Sequence, residues 1–390
     1  MAKRSTKRRI SRADRVEQAL PALSSLTDLP AFGDLRFSEA QREAFAAACT
    51  RLEAQEAVPG EELALGCVVR LDRGFPAVMC EQGVVRAEFA TQLTKGDFSR
   101  VAVGDWVCLR VPEGHEMALI QQILPRESDI ARWKGGARGE RQTLAANVDV
   151  VLVVQALGPE VISCERIARS AVIARDCGAH IAVVLTKADR AMPEVLAEDL
   201  RLLQEILGED VPLAVTASRG DVSVDALAEV AHAAGAQWGN AGVRQIVPAG
   251  TIAIMLGESG AGKSTLLNAL LGREALETGA VRARDDAGRH TTVARRMVKL
   301  PEAGVIVDEP GLRSLPMVGH ERGLAQVFPE IAGAARGCRF RDCTHTHEPG
   351  CEVLAQYEEG EFSQVRLETY LALAREMRES ATTLDPDVVI

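Results

Sequence analysis

The stretch TIAIMLGESGAGKSTLLNALLG, residues Thr251–Gly272, decides the fold. It opens with an apolar run typical of a buried parallel strand, continues into a glycine-rich loop, and ends in a run typical of a helix. Residues 257–264 fit the pattern GxxxxGK[ST], and between a strand and a helix this pattern predicts a phosphate-binding loop. A simple glycine-rich turn is the alternative, and the strand–loop–helix context disfavours it.

Each part of this loop has an expected role. Lys263 would reach the β- and γ-phosphates of a nucleotide, and the Ser264 hydroxyl would bind Mg²⁺. Glycines let the backbone N–H groups turn inward toward the phosphates. The other residues expected to contact the nucleotide here are Gly257, Glu258, Ser259, Gly260, Ala261, Gly262 and Thr265.

Strands and helices alternate around this loop. The runs VDVVLVVQA (148–156), HIAVVLTKAD (180–189) and VPLAVTAS (211–218) precede it, and GVIVDEPG (304–311) follows it. Alternation of this kind predicts a parallel α/β sheet with ligands at the carboxyl ends of the strands. At one such end, Asp308 would hold Mg²⁺ through water, and the Gly311 N–H would meet the γ-phosphate.

A carboxylate predicts which base is bound. Asp189, in TKAD (186–189), can accept hydrogen bonds from N1–H and the 2-amino group of guanine, and adenine lacks this pair of donors. The Lys187 stem would lie along the base, while Thr216 and Ala217 resemble the loop whose backbone meets guanine O6. Thr186 stands where an Asn is usual. Alone, TKAD is also compatible with an ordinary turn.

The order of these motifs is unusual, because the guanine elements precede the phosphate loop. A small GTPase normally has the phosphate loop first. The same sheet can form if the old termini are joined, here within 235–250, and the chain is cut after the DxxG segment. The sequence therefore predicts a circularly permuted GTPase domain.

A cluster of cysteines near the C-terminus predicts a metal site. Cys338, Cys343, His345 and Cys351 form C-x4-C-x-H-x5-C, and three thiolates with one imidazole make a closed tetrahedral zinc site of the structural kind. His347 is a rival to His345, and a coincidental group of free cysteines is the plainer alternative. The other cysteines are scattered among apolar neighbours, which is typical of small buried side chains.

Length and charge limit the remaining possibilities. A chain of 390 residues predicts two or three domains. Short β-rich runs with glycine turns over 63–124 suggest a small barrel, and Ser38–Gln55 has helical composition. The net charge of −10 argues against wholesale coating of nucleic acid, although the basic arm of residues 3–15 would either solubilise the chain or bind RNA phosphates. No apolar run reaches the ~20 residues of a membrane helix, and no secretory signal opens the chain, so we expect a cytoplasmic protein without membrane contact.

These motifs together resemble one family, the ribosome small-subunit-dependent GTPase A. Its resemblance covers roughly residues 63–376 and includes AANVD (145–149), GRHTT (288–292), DEPGLR (308–313) and CRFRDCTHTHEPGC (338–351). The resemblance implies an N-terminal OB β-barrel, a central circularly permuted α/β P-loop GTPase, and a C-terminal zinc-binding domain with helices. It also implies GTP and GDP as ligands, magnesium and one structural zinc as cofactors, and a role in late maturation of the small ribosomal subunit through contact with its rRNA. It favours His345 as the zinc ligand.

The resemblance also sets expected limits and roles. We expect an N-terminal extension over 1–60, the barrel over 61–126, the GTPase over 127–318 and the zinc-binding domain over 319–390, in a monomer. Thr291 or Thr292 would meet Mg²⁺ and the γ-phosphate. Leu312 stands where Ras-like enzymes place a water-orienting Gln, so hydrolysis would be slow without help, and His290 is a candidate helper. Rival hypotheses are an ATP-using P-loop enzyme, a non-enzymatic RNA-binding assembly factor, and a permuted GTPase acting on another RNA.

Overall fold

The structure, a computed structural model, describes residues 22–55, 62–72, 75–90, 101–111, 117–134, 140–217, 225–274, 295–309 and 317–384. Within these ranges no helix is both long and apolar enough to cross a membrane. The basic residues of the N-terminal arm lie outside them.

A closed five-stranded barrel forms the N-terminal part. Its strands are β1 (Glu62–Asp72), β2 (Phe75–Cys80), β3 (Gly83–Phe89), β4 (Trp106–Val111) and β5 (Ala118–Ile123). The strands neighbour one another in the order β1-β2-β3-β5-β4, and β4 pairs back with β1. Val68, Val78 and Ile120 fill the interior with no exposed surface. The OB barrel expected from the sequence is therefore confirmed.

One helix, α1 (Glu39–Gln55), packs on the outside of the barrel, where its Ala48 and Leu52 bury Cys108. Its start is fixed by a reciprocal pair of hydrogen bonds: the Gln41 N–H donates to the Ser38 hydroxyl (3.3 Å), and the Ser38 N–H donates to the Gln41 amide oxygen (3.0 Å). The predicted helix is therefore present and begins at Glu39.

A two-stranded ribbon, β6 (Asp129–Lys134) and β7 (Glu140–Ala146), follows the barrel and was not expected from the sequence. Asn147, at its end, has a left-handed backbone (φ 54°). Its side-chain amide donates to the Gly104 carbonyl (2.8 Å), and its side-chain oxygen accepts from the Glu127 N–H (2.9 Å) and the Gln41 amide (3.0 Å). Asn147 in AANVD thus holds barrel, ribbon and α1 together.

The central sheet has the permuted topology. Its strands are β8 (Val150–Ala156), β9 (His180–Thr186), β10 (Leu213–Val215), β11 (Gln237–Trp238), β12 (Ile252–Leu256), β13 (Arg295–Lys299) and β14 (Val305–Asp308). They lie in the order β11-β10-β9-β8-β12-β14-β13, and every neighbouring pair is parallel except β13 with β14. The phosphate-loop strand β12 inserts between β8 and β14, so the late-arriving motif reaches the middle of the sheet.

Helices cover both faces of this sheet and continue past it. They are α2 (Cys164–Asp176), α3 (Pro193–Leu207), α4 (Asp225–Ala233), α5 (Gly239–Ile246), α6 (Lys263–Leu271), α7 (Glu321–Val327), α8 (Pro329–Ala335), α9 (Glu352–Glu358) and α10 (Gln364–Leu384). The predicted joint over 235–250 contains β11 and α5. One buried core runs from Trp106 in the barrel through Leu200 in α3 to Phe328 and Leu373 in the C-terminal segment.

Arg366 in α10 fastens the C-terminal segment to the central sheet's helices. Its guanidinium donates to the carbonyls of Ile206 (2.7 Å) and Glu205 (3.1 Å) at the end of α3, to the Val327 carbonyl (3.1 Å), and to the Glu330 carboxylate (2.7 Å). A cation at the C-terminal end of a helix also satisfies its last carbonyls. The hydrogen bonds of Arg366 therefore hold the C-terminal segment in place together with the shared apolar core.

Asp199 in α3 is a buried carboxylate with incomplete hydrogen bonding. Its Oδ1 accepts from the Ile162 N–H (2.9 Å), whereas its Oδ2 has no hydrogen-bond partner among the described residues. Burial raises the pKa of Asp199, although the bond from Ile162 opposes that change. Burial therefore favours the protonated form of Asp199 more than bulk solvent does.

The barrel and the central sheet share hydrogen bonds. Strand β1 pairs with β13 at two positions, Arg70 opposite Arg296 and Leu71 opposite Arg295. The two units therefore form one continuous sheet of twelve strands. The domain limits at 61, 127 and 319 stay predictions, because among the described residues both the sheet and the buried core continue from the barrel into the central sheet.

Candidate functional site

The phosphate loop joins β12 to α6 in the conformation that its glycines permit. At Gly257, a Cβ atom would lie 2.3 Å from the Val154 carbonyl oxygen, which no side chain tolerates. Gly262 has φ 93° and caps the start of α6, where Lys263 begins the helix. The N–H groups of the first turn of α6, including that of Ser264, have no intrahelical partner and can bind an anion.

Lys263 lies folded over this loop. Its ammonium donates to the carbonyl of Glu258 (2.9 Å) and to that of Gly257. The Glu258 side chain pairs with Arg166 of α2 (2.9 Å), but both side chains are about half exposed, so this ion pair contributes little. The predicted loop residues are thus all gathered at the carboxyl end of β12, with Thr265 in the first turn of α6.

Thr186 ties the base loop to the phosphate loop. Its hydroxyl donates to the Ala261 carbonyl over 2.6 Å, in a position where Thr186 is only 4% exposed. Thr186 stands where an Asn is usual in this motif. The structure shows that the shorter side chain makes the contact, because Gly262 leaves room for it: a Cβ there would lie 3.2 Å from the Thr186 hydroxyl.

The remaining guanine-site residues surround the end of β9. Lys187 has a left-handed backbone (φ 59°), and its ammonium donates to the Gly260 carbonyl (2.5 Å). Asp189 follows in a short 3-10 turn, Ala188–Arg190, which the Ala188 N–H anchors to the Thr216 carbonyl (3.0 Å). Ala217 continues from Thr216 on the neighbouring strand end. The base loop therefore contacts the phosphate loop at two points.

Asp308 ends β14, beside the phosphate-loop strand, as the sequence predicts for a magnesium ligand. Arg296 lies directly opposite on β13, with its Nε 3.9 Å from Asp308 Oδ2. The next residue, Glu309, pairs with Arg295 (2.8 Å), while its side chain is only 6% exposed. Sequence reasoning did not assign either arginine a role, although the pair RR stands two residues after the GRHTT segment.

Several predicted residues lie outside the described residues. They are His290, Thr291, Thr292 and Gly311, together with Leu312. Arg295 is the first described residue after GRHTT, and Glu309 is the last before the segment that contains Gly311. The ion pair between them therefore links the described residues that border these two segments.

The four predicted zinc ligands form one compact group. Their ligand atoms all lie within 4.8 Å of one another. The thiols of Cys338 and Cys351 are 3.9 Å apart, and His345 Nδ1 is 3.5 Å from the first and 3.4 Å from the second. A tetrahedral zinc ion with Zn–S of about 2.3 Å and Zn–N of about 2.0 Å requires S···S of about 3.8 Å and S···N of about 3.5 Å. The group therefore fits zinc.

Glu348 organises the loop around this group. Its carboxylate accepts from the Thr344 N–H (2.8 Å), the Thr346 N–H (3.1 Å) and the His347 N–H (3.2 Å). Hydrogen bonds from Thr344 hold the pKa of Glu348 well below its usual range. His345 is buried and faces the thiols, whereas His347 bonds to the Thr346 hydroxyl (2.8 Å) and is exposed. This arrangement favours His345 over His347 as the ligand.

Comparisons with known proteins point to one family. The family model described as RsgA GTPase matches residues 123–318. The curated protein "Small ribosomal subunit biogenesis GTPase RsgA" of Streptomyces coelicolor is 40% identical over 326 residues, which are 83% of this chain and 83% of that protein. A protein with the same name from Leptospira interrogans is 36% identical over 330 residues, covering 84% of this chain and 86% of its own.

Two solved structures have the same fold. YjeQ from Thermotoga maritima superposes with a TM-score of 0.56 at 23% identity, covering 81% of this chain and 99% of its own. YloQ, described as a circularly permuted GTPase, gives a TM-score of 0.55 at 20% identity and covers 83% and 98%. At this identity the likeness concerns the fold alone.

Proposed function

This chain belongs to the RsgA GTPase family, and from that premise we propose that it hydrolyses GTP on the small ribosomal subunit and assists the biogenesis of that subunit. The curated relatives carry this activity in their names and match more than four fifths of the chain. The observation that carries the proposal is the double contact of Thr186 and Lys187 with the phosphate loop, because it places a guanine-type loop beside a phosphate-binding loop.

We infer roles for the nucleotide-site residues from their positions. Asp189 accepts two hydrogen bonds from guanine, and Lys187, Thr216 and Ala217 shape the base pocket. Backbone N–H groups of residues 257–265 bind the phosphates, and the Lys263 ammonium moves from its carbonyl partners to the β- and γ-phosphate oxygens. That movement exchanges two neutral acceptors for charged ones, which strengthens the hydrogen bonds of Lys263.

Water attacks the γ-phosphorus of GTP, the bond to the β,γ-bridging oxygen breaks, and GDP and phosphate leave. Bound magnesium would neutralise part of the negative charge of the phosphates. Among the described residues, Ser264 and Asp308 would hold the ion. Thr291 or Thr292, Gly311 and His290 are proposed to complete the γ-phosphate side. Since Leu312 cannot orient water, the chain depends on the subunit for fast turnover.

Zinc would be held by Cys338, Cys343, His345 and Cys351, where it supplies a closed structural site. The arginines beside it, Arg336, Arg339 and Arg341, together with the N-terminal basic arm, are proposed to meet rRNA phosphates. We propose that the protein acts as a monomer in the cytoplasm.

The test is GTP and ATP hydrolysis by the purified chain, with and without small ribosomal subunits. We expect GTP turnover to rise strongly with small subunits, to vanish in Lys263→Ala, and to be insensitive to excess ATP. Asp189→Asn should lose GTP affinity and gain affinity for xanthosine triphosphate, whose base offers a carbonyl to the new amide. GTP turnover that ignores the subunit would refute the ribosomal role, and preference for ATP would refute the role of Asp189.

A further inference from the structure

A row of directly opposed residues, most of them charged, crosses the junction between the barrel and the central sheet. Arg86 lies opposite Ala77, Ala77 opposite Arg70, Arg70 opposite Arg296, and Arg296 opposite Asp308. Directly opposed residues of antiparallel strands point to the same face of a sheet. The row therefore runs without interruption from β3 of the barrel to the proposed magnesium ligand at the end of β14.

On the barrel side, the two arginines share one carboxylate. Arg70 Nε lies 2.9 Å from both oxygens of Asp72, and Arg86 Nη1 donates to Asp72 Oδ2 over 2.8 Å. The side chains of Arg70, Arg86 and Asp72 are 15%, 8% and 7% exposed. Because solvent screens such a group little, its excess positive charge acts over several ångströms.

On the GTPase side, Arg296 bears on Asp308 from 3.9 Å, beyond hydrogen-bond distance but within strong electrostatic reach. Burial lowers the pKa of Arg296, Asp308 opposes that change, and the charges of Arg70 and Arg273 add to it. Arg70 and Arg273 repel the guanidinium of Arg296, and the carboxylate of Asp308 attracts it. Both effects keep the guanidinium beside Asp308.

We propose that Arg296 is a positioning residue that sets the magnesium affinity of the nucleotide site, and that Arg70 of the barrel adjusts its effect. The inference rests on the proposed role of Asp308. A guanidinium beside Asp308 neutralises part of the charge that attracts Mg²⁺ and repels the ion as it approaches. Magnesium then binds firmly only when nucleotide phosphates add their own negative charge.

Asp72 of the barrel controls how strongly Arg70 affects Arg296. Asp72 offsets part of the positive charge of Arg70 and Arg86, and so limits the repulsion that Arg70 exerts on Arg296. If β1 shifts against β13, the two charged neighbours separate or approach, and the potential at Asp308 changes with them. Contact of the barrel with a partner would in this way reach the nucleotide site through the sheet itself.

The experiment measures release of a fluorescent GDP analogue from the full chain over a range of Mg²⁺ concentrations. Arg296→Gln is expected to lower the Mg²⁺ concentration that half-maximally slows release by roughly three- to tenfold, the effect of one partly screened charge pair. Arg70→Gln should lower it by about twofold, since Arg70 acts from one strand farther away. Asp72→Asn should raise this Mg²⁺ concentration. Arg296→Lys should keep it near the wild-type value, because the positive charge is retained.

Opposite signs for Arg70→Gln and Asp72→Asn separate an electrostatic effect from simple damage, which would move both in one direction. Arg51→Gln, on α1 and outside the row, is the charge-matched control, and thermal unfolding of each variant reports its folding. If Asp72→Asn fails to fold, the two arginine variants still decide the matter.

Wild-type dependence on Mg²⁺ that is unchanged in Arg296→Gln and Arg70→Gln would overturn the inference. Release from the wild-type chain that ignores Mg²⁺ would refute the role of Asp308, and the inference with it. That second outcome is recognised in the wild-type protein alone, so the two failures are distinguishable.

Discussion

Replacing Thr186 by Val removes one hydroxyl and keeps the shape of the side chain. The hydroxyl donates to the Ala261 carbonyl over 2.6 Å, and both residues are at most 5% exposed. No water can easily replace the lost donor there. Lys187, whose ammonium lies on the surface, would still donate to the Gly260 carbonyl.

The size of the effect follows from that burial. A buried hydrogen bond contributes about 0.5–1.5 kcal/mol, and a carbonyl left without a donor costs about 1–3 kcal/mol. The Ala261 carbonyl keeps a second lone pair, so we take about 1–2 kcal/mol for the change. If this free-energy cost destabilises only the nucleotide-bound state, the Kd for GDP rises by about five- to thirtyfold.

Equilibrium titration with a fluorescent GDP analogue measures this change. Thr186→Asn should stay within about threefold of the wild-type Kd, because its amide can donate to the same carbonyl. Thr369→Val in α10 is the matched control, since this buried hydroxyl bonds to the Val365 carbonyl (2.7 Å) far from the nucleotide loops. A Kd for Thr186→Val within twofold of wild type, with unchanged unfolding, would show that the tether is dispensable.

Three further changes test other parts of the structure. Arg366→Met should lower the free energy of unfolding of the C-terminal segment by about 3 kcal/mol, because a mostly buried, paired charge is removed; urea unfolding followed by hydrogen exchange in α10 measures it, and the exposed Arg375→Met should change nothing. Cys351→Ser should reduce bound zinc from one ion per chain to nearly none by atomic absorption while leaving the Kd for GDP within about twofold; Cys49→Ser should keep the zinc. Asp199→Asn should stabilise the fold at pH 7 by on the order of 1 kcal/mol. Because burial raises the folded-state pKa of Asp199, the free-energy cost of its buried charge grows as pH rises above the usual pKa of 3.8. The unfolding midpoints of the wild-type chain and Asp199→Asn should therefore converge below pH 4. A difference in midpoint that stays constant with pH would contradict this.

Motifs with fixed spacing could be recognised without the structure. GESGAGKS carries its own conformation, because Gly257 and Gly262 occupy positions that other residues cannot. The cysteine cluster is similar, since one turn-rich loop of the chain brings Cys338 and Cys351 together. In both cases the residues that build the site are close in sequence, and local geometry is enough to predict them.

Contacts between distant segments could not be predicted in this way. The pairing of Arg70 with Arg296 depends on how the barrel joins β13, and no local pattern encodes that register. The partner of Glu309 shows the same limit, because only the fold shows that Arg295 pairs with it. The role of Asn147 likewise depends on three segments that meet at its side chain.

The permuted strand order has a consequence for the chain while it is being made. Strand β8 can pair with β9 as soon as both have left the ribosome, but its other edge must wait for β12, whose Ala253 pairs with Val150 and is made about a hundred residues later. At 5–20 residues per second, that edge stays open for roughly 5–20 s. An apolar strand edge exposed for so long invites wrong pairing. Nascent chains of this protein should therefore depend on early closure of the barrel, or on a chaperone, more than GTPases whose phosphate-loop strand is made first.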